Sequence, residues 1–310
     1  MRYDSPIPTL HIAKCYMTMH RSLIMGIFKD KTVLSIQYIP EKPLGREEEI
    51  RRLAMAFNPP IAGVRPDNIL IYGMAGTGKS TVTEYVLRRY LIALKEHDVS
   101  NVRVVSLTVD NLPASKVLTG ILRELNPDMH VSSRGYAISE YFSMIWDTLN
   151  EQELSMILVL DKIDQMKNSG ILYDFSRVAE HGHLKDNRFV SVVGMLKSAR
   201  YTQFLDPAIL SSFGSLSMIT GSYNKEQLAE ILEDRRVAFH EGVLEEPVIP
   251  MCAEYSAYDN GSARKAIDLL RCAGEIAEEQ GENTVTQEHV RLALEKYDWD
   301  FPSFSGTVDA

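Results

Sequence analysis

The chain has little cysteine, no long apolar run and no excess of positive charge. Three cysteines (Cys15, Cys252 and Cys272), with no CxxC pair, exclude a disulfide scaffold and fit a reducing, cytoplasmic setting. No stretch approaches the roughly 20 apolar residues that a membrane span needs, so no membrane role is expected. The opening MRYDSPIPTLHIAK lacks the continuous apolar core of a secretory signal. Lys and Arg total 33 against 42 for Asp and Glu, a net charge of −9. Nonspecific nucleic-acid binding runs on released counterions, so this balance argues against DNA affinity over the whole surface and leaves only a local basic patch. Internal repeats and low-complexity tracts are also missing. What is there is ordinary globular usage, 45% hydrophobic and 24% charged over 310 residues. That excludes wholesale disorder and gives room for one large domain or two modest ones.

Strand and helix signals alternate from Tyr38 onward. Glu47 to Phe57 predicts an amphipathic helix, with Ile50, Leu53, Ala54 and Phe57 at helical spacing. Short buried strands are expected at 68–72, 102–109, 156–160, 189–193 and, more weakly, 216–220. Helices are expected at 80–94, 139–149 and 171–179. Such alternation implies an α/β fold with a mostly parallel sheet covered on both faces. After Gly221 only helices follow. Asn224 with Gln227 forms a capping box for a helix to about Glu241. Gly261 precedes a helix with one apolar stripe through Ala263, Ala266, Ile267, Leu270, Ala273 and Ala277, and Thr286 caps a last helix ending near Lys296. Residues 1–26 show no clear period. Because MGIFKDKTVLS at Met25 makes a natural beginning, they read either as an N-terminal extension or as a misassigned start. The stretch 298–310 holds Pro, Gly and Ser and reads as a flexible tail.

The strongest motif is Gly73-Met-Ala-Gly-Thr-Gly-Lys-Ser80, a complete GxxxxGK[ST] phosphate loop between an expected strand and an expected helix. Its glycines let backbone N–H groups turn inward around phosphate oxygens, and Lys79 reaches the β- and γ-phosphates. Ser80 places a hydroxyl on Mg²⁺, while the following helix aims its N-terminal dipole at the anion. The candidate nucleotide residues here are Gly76, Thr77, Gly78, Lys79, Ser80 and Thr81. Such a loop needs a second carboxylate for the metal, and Asp161, ending the apolar run Met156 to Leu160, is placed for it. Many ATPases of this kind put Glu at the next position to orient the attacking water, but this chain has Lys162. A charged lysine accepts no proton. Asp164 is a substitute only if its side chain reaches past a turn.

Several segments together resemble the archaeal replication initiators of the AAA+ class, relatives of the largest origin-recognition subunit and of the cell-division-cycle helicase-loading factor. They are Tyr38 to Glu47 (YIPEKPLGRE), NILIYGMAGTGKS, VLDKID, FLDPAILSSFG, Tyr223-Asn224 and GSARKAIDLLRCAGEIA. The resemblance runs from about Ile27 to Lys296. It implies an AAA+ P-loop αβα nucleotide-binding domain over 27–221 and a small all-helical lid over 222–297, binding ATP or ADP with Mg²⁺. Tyr223, Arg235 and Arg264 match lid positions that line the nucleotide, Arg264 being the arginine suited to the γ-phosphate.

Three family positions are replaced: Lys162 stands for Glu, Lys197 for a sensor Asn and Ala208 for the arginine finger. Loss of base, polar sensor and finger removes much transition-state stabilisation and leaves binding. No catalytic residue is therefore assigned. The resemblance implies a nucleotide switch with weak or absent hydrolysis, acting in DNA replication initiation or its regulation. Two other readings stand beside it. One is an active AAA+ ATPase that remodels or loads a protein partner. The other is a truncated, interaction-only paralogue that pairs with a full-length initiator. The expected partners are replication proteins or such an initiator. DNA contact is weakened by the acidic charge, by a tail too short for the family's winged helix, and by Arg134 being the only cation in 132–140. His181 and His183 lack partners at metal spacing. The run from Arg46 to Arg52 reads as a solvated helix face, although Arg46 and Glu47 fall in a family motif beside the adenine.

Overall fold

A computed structural model describes residues 26–35, 38–57, 65–132, 135–186, 188–213 and 217–296. The stretch 1–25, Arg134 and the tail expected from 298 lie outside them. The described residues group into two compact units, one spanning 39–222 and one combining 26–38 with the chain from Tyr223.

The first unit runs α1 (Glu47–Phe57), β1 (Ile69–Tyr72), α2 (Lys79–Glu96), β2 (Val102–Thr108), α3 (Ala114–Leu125), α4 (Ile138–Glu151) and β3 (Ser155–Asp161). It continues with α5 (Gly170–Ser176), α6 (Val178–His181), β4 (Val190–Leu196), α7 (Pro207–Ser212) and β5 (Ser217–Ile219). The strands form one parallel sheet in the order β2-β3-β4-β1-β5. β3 is buried from Ser155 to Leu160 and β4 throughout, as strands covered on both faces must be. On β1 the alternation of side chains decides the layers. Leu70 joins a core with α3, α4 and α5, whereas Ile69 and Ile71 pack with α1 and α2. Buried Asn68, just before β1, donates to the Ser212 and Ser176 carbonyls (2.8 and 3.1 Å) and accepts from the Val192 amide (2.8 Å).

The second unit holds α8 (Lys225–Arg235), α9 (Val248–Asp259), α10 (Ala263–Gln280) and α11 (Gln287–Lys296). The Asn224–Gln227 capping box is present, with both bonds made. The helix it opens stops at Arg235, short of the expected Glu241. The amides of Lys29 and Asp30 take the Ala238 carbonyl (2.8 and 3.0 Å), and Phe239 turns extended to pair with Phe28. Gly274 on α10 is needed beneath that pair, since a Cβ there would lie 2.5 Å from Phe28 and 2.9 Å from Phe239.

The helix expected over 171–179 is broken at Arg177, whose guanidinium leaves to bond the Ala208 carbonyl and Ser211 Oγ of α7. Two helices were not expected at all. α3 buries Val117, Leu118, Ile121, Leu122 and Leu125 at helical spacing behind Pro113, and α9 carries Pro250 in its first turn. Among the described residues no helix is long and apolar enough to cross a membrane.

Candidate functional site

In a parallel sheet all strands finish at one edge, and here the register sets those ends side by side. Thr108 pairs with Asp161, Asp161 with Met195, and Tyr72 with both Leu196 and Ile219. The residues that follow each strand therefore meet along one rim: Gly73 after β1, Asp110 after β2, Lys162 after β3, Lys197 after β4 and Thr220 after β5.

The phosphate loop leaves β1 at Gly73, whose amide donates to the Leu196 carbonyl (3.1 Å). No side chain fits at this position, because a Cβ would lie 2.1 Å from Thr220 Oγ1 and 2.6 Å from the Thr220 carbonyl. Gly76 and Gly78 take φ values of 81° and 86°, the left-handed conformation that turns successive amides toward one side. α2 begins directly afterwards. Gly78 supplies no capping side chain, and the first helical bond runs from the Val82 amide to the Gly78 carbonyl (2.9 Å). The head of α2 thus lies at the phosphate loop, where a helix N-terminus suits an anion.

Side chains complete the cradle. Lys79 Nζ donates to the carbonyls of Gly73 (2.6 Å) and Met74 (3.0 Å), which fixes the ammonium across the loop. Ser80 Oγ donates to Asp161 Oδ2 (3.2 Å). A hydroxyl and a carboxylate are thus paired at the head of α2, the oxygen donor set that suits Mg²⁺. Thr77 is buried and its hydroxyl is engaged with the Met74 carbonyl and Thr220 Oγ1, both at 2.9 Å, so only its backbone is left to face a phosphate.

Arg46 corrects the reading of the 46–52 run as a solvated face. Arg51 and Arg52 are exposed and pair with Glu48, but Arg46 is buried. It donates from Nε to the Thr77 carbonyl (3.1 Å) and from its fork to the Gly221 carbonyl, and it pairs with Glu49 (3.0 Å). One guanidinium thereby ties the phosphate loop to the exit of β5.

The opposite part of the rim is built differently. Lys162 sits at φ 62°, ψ 42°, and its Nζ donates to Asp110 Oδ2 (2.8 Å). With the Gln165 side-chain amide assigned so that its nitrogen faces Asp110 and its oxygen faces Lys197, the orientation that pairs every group, the nitrogen donates to the two Asp110 oxygens (2.7 and 3.1 Å) and the oxygen accepts from Lys197 Nζ (3.1 Å). Asn111 adds a bond to Asp110 Oδ1 (2.8 Å). The Lys162 hydrogen bond, with the nearby lysine charges, holds the Asp110 carboxyl below its ordinary value. The three positions expected to be vacant of catalytic groups are thus not equivalent. Lys162 and Lys197 join one network, whereas Ala208 lies apart on α7 under the guanidinium of Arg177. Asp164 Oδ1 is buried and has no hydrogen-bond partner among the described residues.

In the helical unit, the Tyr223 amide bonds the Gly261 carbonyl (3.0 Å), which brings Tyr223 near Arg264 at the head of α10. Arg264 is exposed. Arg235 is buried, pairs with Asp234 and lies 4.4 Å over the Tyr38 ring; burial lowers its pKa. His181 and His183 pack against Tyr173 and Trp146, and no cluster of three metal-type ligands occurs among the described residues.

Sequence reasoning missed Asp110, Gln165 and Thr220. The signal for Asp110 was available, since it follows an expected strand whose end must lie on the same rim as Asp161.

Two family models match the chain: an AAA ATPase domain over residues 42–184 and a Cdc6 AAA+ ATPase-type lid domain over 229–295. An ORC1-type DNA replication protein 4 of Halobacterium salinarum is 36% identical over 280 residues, covering 88% of this chain and 68% of its own. An ORC1-type DNA replication protein of Pyrococcus abyssi is 35% identical over 298 residues, covering 94% and 70%. Among solved structures, the Aeropyrum pernix ORC1 protein in complex with DNA superposes with a TM-score of 0.77 at 34% identity, over 87% of this chain and 70% of that one. Cdc6p from Pyrobaculum aerophilum gives 0.77 at 25% identity, over 89% and 73%. The chain spans about two thirds of the length of the curated relatives it matches.

Proposed function

The chain belongs to the ORC1/Cdc6-type family of AAA+ proteins, and from that premise we propose that it binds ATP with Mg²⁺ and uses it as a switch, with weak or absent hydrolysis. One observation carries the binding half: a complete phosphate loop with Lys79 fixed across it and Ser80 bonded to Asp161. The inward amides from Gly76 to Thr81 and the Lys79 ammonium hold phosphate oxygens. Ser80 and Asp161 would hold the metal, which when bound would screen the charge between phosphates. Arg264, Arg235 and Tyr223 are the helical unit's proposed share, reporting nucleotide to partners.

The switch half follows from the other part of the rim. Where a water-activating carboxylate is needed, Lys162 presents an ammonium already paired to Asp110. A cation cannot take the proton of the attacking water, so the bound triphosphate persists. By likeness to relatives named as DNA replication proteins, we place this switch in replication initiation or its control, in the cytoplasm. It would act through replication proteins, a full-length initiator or residual DNA contacts. A working ATPase is the second reading. It is favoured by Asp164, a carboxylate three residues past Asp161 with one buried oxygen that has no hydrogen-bond partner among the described residues.

Nucleotide that binds only the folded state stabilises it by mass action, about 2.7 kcal/mol at one hundred times the dissociation constant. Addition of Mg²⁺ and ATP should raise the melting temperature, and Lys79→Ala should remove that rise. A Lys79→Ala protein that melts like the parent without nucleotide yet keeps the full rise would place the nucleotide elsewhere.

A further inference from the structure

The two lysines on the rim do not face the phosphate loop. The strand order β2-β3-β4-β1 puts β1 and its loop on one side of β3 and β4, and β2 on the other. Lys162 follows β3, yet its ammonium is bonded to Asp110, which follows β2. Lys197 follows β4, directly beside β1, yet its ammonium is bonded to Gln165 in the turn after β3. Both side chains are therefore drawn away from the loop toward a single carboxylate, one directly and one through the Gln165 amide.

The frame around that carboxylate is tight. The Val109 amide bonds the Asp161 carbonyl (2.9 Å), the Asn111 amide bonds the Gln165 carbonyl (3.1 Å), and the Gln165 amide bonds the Lys162 carbonyl (2.9 Å). Asp110 is thus fixed by backbone on both sides, whereas the lysines reach it on flexible four-carbon stems. The network holds two cations and one anion. Lys162 and Asp110 are only half-buried, so the pair can exchange partners. A triphosphate brings more negative charge to the rim than a diphosphate does, and the extra charge is on the terminal phosphate. Lysine acts as a mobile point charge toward phosphate.

We propose that Asp110 is a positioning residue that competes with the terminal phosphate of the bound nucleotide for Lys162 and, through Gln165, for Lys197, and so sets the preference of the site for triphosphate over diphosphate. The proposal rests on the nucleotide-binding reading above and adds the residues that discriminate between nucleotides. In this arrangement Lys162 is not an empty replacement of a catalytic group. It is a counter-charge held in reserve by Asp110.

The test is equilibrium binding of ATP and of ADP, each with Mg²⁺ and with EDTA, to the full chain, to three variants of the network and to Lys79→Ala as the control. Asp110→Asn keeps the shape and removes the competing charge. It should tighten ATP about tenfold, the value of one charge-assisted hydrogen bond gained, and leave ADP within about twofold. Adding Lys162→Met to Asp110→Asn should cancel most of that gain. Gln165→Met should give a smaller gain, through Lys197 alone. A purely structural role would move ATP and ADP together and lower the melting temperature of the protein without nucleotide. An unchanged ratio of ATP to ADP affinity in Asp110→Asn, or a gain that survives Lys162→Met, overturns the proposal. Failure of the parent reading is separate, because it appears as ATP and ADP binding that is unaffected by Lys79→Ala.

Discussion

The two halves of the rim differ in what has been kept. On the β1 side, the groups proposed to hold phosphate and metal are geometrically engaged: the left-handed glycines, Lys79 across the loop, and Ser80 on Asp161. On the β2 side, the positions that would move a proton carry lysines joined to Asp110. On the proposed reading, binding and turnover draw on different residues of one edge, so one can be lost without the other. The network also shows that Lys162 and Lys197 are not vacancies. Both lysines have found partners in the same fold, away from the loop.

That contrast can be broken from the loop side with the largest effect. Gly73→Ala forces a methyl group to within 2.1 Å of Thr220 Oγ1 and 2.6 Å of its carbonyl, and backbone at that point cannot give way. It should cost about 1–3 kcal/mol of stability, as overpacking does, and remove ATP binding as well. Thermal unfolding and nucleotide titration of the same sample check both. A Gly73→Ala protein of parental stability would mean that the loop is looser than its contacts indicate.

From the β2 side a smaller effect is expected. Lys162→Glu restores the usual residue type but sets its carboxylate against Asp110, whose oxygen now lies 2.8 Å from the lysine nitrogen, and beside Asp161. Like charges at that distance do not both stay ionised and in place. Phosphate release by Lys162→Glu should therefore rise less than about tenfold, and the larger increase should need Asp110→Asn in the same chain. A large gain from Lys162→Glu alone would show that Asp110 does not control this position.

Much of this was legible in the sequence, and the reasons differ by region. The phosphate loop, Asp161 and the helix Glu47–Phe57 follow from local spacing, and the structure places them with those limits. The capping box at Asn224 is also local and was found, but the end of its helix was not. The α-helix ends at Arg235, a 3-10 turn continues to Ala238, and there a distant segment, Lys29 and Asp30, claims the Ala238 carbonyl. The break at Arg177 has the same character, since its guanidinium bonds a helix that begins 30 residues later, at Pro207. Arg46 looked like one member of an exposed charge run, and only tertiary packing singles it out as the buried tie to Thr77 and Gly221. Asp110 and Gln165 carry no motif at all. Their importance arises from the parallel register, which brings residues 52 and 55 positions apart in sequence, Asp110 with Lys162 and Gln165, to one carboxylate.

The central claim is that the nucleotide is held and not consumed. Bound nucleotide and released phosphate should be measured together on the purified chain, with Mg²⁺ and saturating ATP. Retained ATP with no phosphate above background is the result this account expects. Steady release that Lys79→Ala abolishes would contradict it, and would mean that another group, with Asp164 the first to examine, activates water in place of the missing glutamate.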